Sequence, residues 1–191
     1  MTEISIIEEW PDIELPDPPV PQEISVNVDD TALLLLDIQN NNCNEDRRLR
    51  CAQRVEQFYR PFLLKARKKS MTIVYSLTSS AEVKDIREEV KPIKNEPVVK
   101  SSVDKFRGTE LEEILKSKGI KKVIIIGTSA EGAVLNTATG ASLRGFEVIV
   151  PIEGVSSSYP YAEQYTIWHL MNSPGTRRNT KITRINWIKI Q

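Results

Sequence analysis

The stretch KKVIIIGTSAEGAVLNTATGASLRGFEVIVP, residues 121–151, decides the fold. Apolar residues run unbroken from Val123 to Ile126, and a small hydroxylated turn follows at Gly127. A helix-length segment then reaches Gly145, and a second apolar run covers Val148–Val150. A strand without polar alternation is buried on both faces. Two such strands joined through a helix pair in parallel by a right-handed crossover. The stretch therefore predicts a βαβ unit with a tight turn at the carboxyl end of its first strand.

The same alternation continues outward. TALLLLD (residues 31–37) is an apolar run ending in an acid, and EDRRLRCAQRVEQFYRPFLLKARKKS (45–70) reads as a long helix kinked or restarted near Pro61. Its basic end, KARKK, suits a cationic last turn. TIVYSL and EPVVK are strand candidates, separated by the mostly polar crossover SAEVKDIREEVK. TELEEILKSKG is a helix with a Thr cap and a Gly stop. YAEQYTIWHLMNS is a last helix and KITRINWIKI a last strand. The pattern predicts a three-layer α/β/α, Rossmann-like domain with a doubly wound, six-stranded parallel sheet. Residues 1–29 read as a separate arm, and residues 30–191 as the domain. Pro11, Pro16, Pro18, Pro19 and Pro21 argue against helix in the arm, while Ile4, Ile6, Ile7, Trp10 and Ile13 could pack on the domain or on a second subunit.

Composition narrows the function. The 26 basic residues equal the 26 acidic ones, so charge gives no case for nucleic acid or an anionic membrane. No apolar run approaches the ~20 residues of a membrane span. The acidic, Pro-rich start reads as neither signal nor transit peptide, and a cytoplasmic location is the expectation. Cys43 and Cys51 are expected to be free thiols. His169 is the only histidine and falls in an amphipathic pattern, which points to a structural role and leaves no histidine-rich metal site. Walker and Gly-x-Gly-x-x-Gly phosphate loops are absent, so no cofactor is expected; the partner is expected to be a small-molecule substrate, and the apolar content of the arm suggests a homo-oligomer.

Ligands in such sheets bind beyond the strand carboxyl ends. Those positions supply Asp37 and Gln39, Thr78 to Ser80, Lys100, the Gly127–Ala133 turn, and Glu153 with Ser156. An acid and an ammonium at neighbouring strand ends form either a salt bridge or a reactive pair.

The spacing D-x-Q after the first strand, then V-V-K with Phe106, Gly108 and Thr109, then I-I-I-G with Val134, Thr137, Ala138 and Ala141, resembles the isochorismatase-like hydrolases. The likeness covers about residues 30–160. It implies an Asp–Lys–Cys triad, with Asp37 and Lys100 matching the first two members and Ala133 standing where the Cys falls. It also implies a cis peptide at Thr128–Ser129. The nicotinamidase branch's metal lacks its histidines here. True isochorismatases also lack the Cys and cleave a vinyl ether. Asp37 would then be the general acid and Lys100 its partner, with Gln39, Thr78, Arg87, Ser129 and Gly132 around the substrate. Gln39 could hold Asp37, and Arg87 could anchor a carboxylate. The alternatives are a degenerate member that binds a small carboxylate or amide, or an atypical amidase using water or Cys43.

Overall fold

The computed structural model describes residues 5–191. The elements are α1 (Ile6–Glu9), β1 (Ile24–Val26), β2 (Thr31–Leu36), α2 (Glu45–Arg54), α3 (Arg60–Lys68), β3 (Thr72–Leu77), β4 (Val98–Lys100) and α4 (Leu111–Ser117). They continue with β5 (Lys122–Thr128), α5 (Leu135–Leu143), β6 (Glu147–Pro151), β7 (Val155–Ser156), α6 (Pro160–Asn172), β8 (Thr180–Thr183) and β9 (Ile188–Ile190).

Seven strands form one parallel sheet. Six lie in the order β4-β3-β2-β5-β6-β8, and β7 pairs with the end of β5. From β2 the chain winds outward through β3 to β4, then returns to β5 on the other side of β2 and winds outward again. The winding reverses between β2 and β5, the point at which open sheets of this kind part their strand ends.

The continuous apolar runs are explained by the two faces. Leu33 and Leu35 enter one core with Cys51, Phe62, Leu63 and Ala66 from α2 and α3. Leu34 and Leu36 enter the other with Leu111, Leu115, Ala138 and Leu170 from α4, α5 and α6. Full burial of each large side chain contributes roughly 1.5–3 kcal/mol, so no position in β2 tolerates a polar residue cheaply.

Three expectations change. The arm is not wholly extended: Ser5 caps the single turn α1 before the first proline is reached, and Pro11 falls in a following 3₁₀ turn. Its end, β1, pairs in parallel with β9 and buries Ile24 and Val26 in the first core, so residues 24–26 are built into the domain. The final strand candidate is two strands, because a 3₁₀ turn at Ile185–Trp187 divides β8 from β9. Ile6, Ile7 and Trp10 stay exposed, with Trp10 touching Tyr161; Ile4 lies outside the described residues.

Candidate active site

Asp37 follows β2 directly, and its backbone turns there into the left-handed region at φ 54°. The strand register sets Leu36 beside Gly127, so Asp37 and the Thr128–Ser129 turn leave the sheet side by side. Gly127 is required at this contact: a Cβ on it would collide with the Leu36 carbonyl, and its φ of 146° suits no other residue. The Thr128–Ser129 peptide is cis. The Ser129 carbonyl accepts from the N–H groups of Gly132 and Val134 at 3.2 and 3.1 Å, which winds Ala130–Val134 into a π turn leading into α5. Any Cβ on Gly132 would press on the Ser129 hydroxyl at 2.6 Å. Ala133 is buried in that turn.

The carboxyl of Asp37 is buried and held at both oxygens. The Ser76 hydroxyl donates to Oδ1 at 2.9 Å, and the Lys105 ammonium lies 2.8 Å from Oδ2. Lys105 is fully buried and also donates toward the carbonyls of Leu77, Ser101 and Ser102 at 3.3, 3.0 and 2.6 Å. Its loop is pinned from α5, where the Thr137 hydroxyl accepts from the Lys105 N–H at 3.2 Å. Burial pushes the Asp37 carboxyl above the ordinary carboxylate range, against the lowering effects of Lys105, Ser76 and Arg48. A donor of raised pKa is what proton delivery near neutrality needs.

Lys105, not Lys100, is therefore the ammonium beside Asp37. Side chains alternate along β4: Val99 enters the second core, and Lys100 on the opposite face is exposed. The chain must turn back five residues later to bring a lysine inward. The neighbouring Phe106 is buried there, its ring stacked on Phe146 at 6.0 Å. Gln39 does not bond the Asp37 carboxyl. Its side chain accepts from the Thr78 N–H at 2.9 Å and donates toward the Thr78 hydroxyl at 3.2 Å, closing the ends of β2 and β3. Ser76, unremarked in the sequence, takes the role assigned to Gln39. Arg87 is not a free anchor: it donates to the Cys43 carbonyl at 2.8 Å and pairs with Glu89. Glu153 is drawn away to Arg184 and the Ile185 N–H.

Cys43 and Cys51 are not free thiols. They form a disulfide with a Cα separation of 5.2 Å, which excludes Cys43 as a substitute nucleophile. The nicotinamidase-type metal does not fit. The donors around Asp37 are an ammonium and a hydroxyl, and His169 lies on α6 against the Tyr165 hydroxyl. Among the described residues, no helix is long and apolar enough to cross a membrane.

Fold and site together define a doubly wound α/β domain with a buried acid–ammonium pair at its switch point. The isochorismatase domain profile matches residues 31–181, and the chain belongs to that family. It is similar to N-carbamoylsarcosine amidase of an Arthrobacter species, 31% identical over 96 residues, covering 50% of this chain and 36% of the relative. It is also similar to the secreted isochorismatase effector Isc1 of Verticillium dahliae, 35% identical over 79 residues, covering 41% and 42%. The chain thus spans less than half the length of either relative. An isochorismatase-like hydrolase from Alkaliphilus metalliredigens shares the fold, with a TM-score of 0.73 at 20% identity over 82% of this chain and 95% of that one.

Proposed function

We propose that this chain is a hydrolase that works without a cysteine nucleophile and cleaves a vinyl ether of the isochorismate type, with Asp37 as general acid. The observation that carries the reading is the buried Asp37 carboxyl, raised in pKa and fixed by Lys105 and Ser76. Asp37 would protonate the terminal methylene carbon, leaving an oxocarbenium ion. Water then adds to the cationic carbon and returns a proton to the Asp37 carboxylate. The resulting hemiketal collapses to pyruvate and the free alcohol. No bond to the enzyme forms, so Ala133 is no obstacle.

Lys105 is a positioning residue in this scheme. Its charge holds the carboxylate formed in the first step, while burial favours the reprotonated state. A second reading, binding without turnover, draws on the same pair seen as a saturated ion pair: Lys105 already faces four oxygens. The disulfide favours an oxidising compartment over the cytoplasm, in keeping with the secreted character that the Verticillium relative's name records.

The test is coupled detection of pyruvate by lactate dehydrogenase after mixing the oxidised protein with isochorismate. Pyruvate formation proportional to protein supports the hydrolase. Saturable binding without pyruvate favours the second reading.

A further inference from the structure

Arg48 is a cation for which neither the family pattern nor the Asp37–Lys105 pair has a use. It sits within α2 but leaves helical geometry, at φ −145° and ψ 75°. That departure accompanies a side chain directed back to Asn42, whose carbonyl and side-chain oxygen both accept from Nη1. The Asn42 amide in turn donates to the Asp37 carbonyl at 3.1 Å, so Arg48 is tied to the acid through one residue. The disulfide brackets this segment, with Arg48 between Cys43 and Cys51.

The Nε of Arg48 is buried and has no hydrogen-bond partner among the described residues. A buried N–H of a charged group is costly to leave unpaired, and nearly all such groups find an acceptor. The edge formed by Nε and a terminal nitrogen is one that a carboxylate can take in bidentate fashion. The Arg48 charge acts on the buried Asp37 carboxyl, lowering it against the larger effect of burial. Asp37 stands at the end of β2, one of the two strands that form the switch point.

We propose that Arg48 is a specificity-determining residue that binds a carboxylate of the substrate beside the Asp37 site. This rests on reading the Asp37 site as a substrate site. The chemical class follows from the geometry: a small anionic molecule whose carboxylate meets Arg48 while its reacting carbon reaches Asp37. Lys105 cannot serve as the anchor, since its ammonium is fully buried and engaged.

The experiment is calorimetric binding of benzoate and of the neutral benzamide to the full, oxidised chain and to the Arg48→Gln variant. Arg48→Gln should weaken benzoate by roughly tenfold or more, the size of one charge-assisted hydrogen bond, while benzamide changes by less than about twofold. The neutral probe separates a binding role from a loss of folding. Equal losses for both probes in Arg48→Gln, or no saturable benzoate binding by the unaltered protein, would overturn the proposal. The pyruvate assay reports separately on turnover: Arg48-dependent benzoate binding without pyruvate removes the hydrolase and leaves the anchor.

Discussion

Lys105 faces one carboxylate oxygen and three backbone carbonyls from a position with no solvent contact. Removing one partner of a buried pair costs more than the pair contributes, because the other charge stays behind. Lys105→Met is therefore expected to destabilise the protein by about 3–5 kcal/mol. Lys100→Met, on the exposed face of β4, should stay within about 0.5 kcal/mol. Urea unfolding of the two variants checks this, and similar midpoints would place the wrong lysine at the site. At this scale Asp37 was legible because it ends an apolar run, which fixes it at a strand terminus. The lysine was not, since two of them stand five residues apart and only the path of the 101–109 loop chooses between them. Arg87 misled for a similar reason: its partner Glu89 and the Cys43 carbonyl are local and long-range contacts that spacing alone does not weigh.

Among the elements, helix α2 carries the largest correction. A kink or restart near Pro61 was expected, and it is realised as a π turn at Val55–Tyr59 that hands over to α3. A proline in the first turn of a helix loses no hydrogen bond, so the restart falls where the ring is tolerated. The disulfide was not legible, because two cysteines in a long chain make no framework. Their eight-residue separation on a loop and the following helix brings the Cα atoms within bonding range only once Asn44 caps α2. Closing so short a loop contributes about 2.5 kcal/mol on the chain-entropy account. The double variant Cys43→Ser with Cys51→Ser should lose roughly 2–3 kcal/mol in urea unfolding. It should also match the unaltered chain measured with a reductant. A variant as stable as the oxidised parent would show that the two sulfurs are not joined.

At the scale of the whole molecule, the order of strands and helices followed from apolar periodicity, and doubly wound topology followed from handedness. What periodicity could not give was the closing of the domain by β1 and β9, since a three-residue pairing between the two ends of the described chain leaves no periodic trace. The switch point between β2 and β5 gathers the acid, the ammonium loop and the turn at Gly127, and the proposed chemistry there is proton transfer without a nucleophile. Asp37 titrates above the ordinary carboxylate value in the folded state because of burial. The native chain thus binds more protons than the unfolded one between the ordinary and the raised value, and stability from this group falls as pH rises through that window. An acid that must be protonated to act loses rate in the same direction. The most direct measurement is the pH dependence of pyruvate release from isochorismate by the unaltered protein and by Asp37→Asn. The rate should fall as pH rises through the raised Asp37 value, and drop by about 10²–10⁴ in the folded Asp37→Asn variant, which has no proton to give. A folded Asp37→Asn protein with the parent's rate and pH profile would contradict this chemistry.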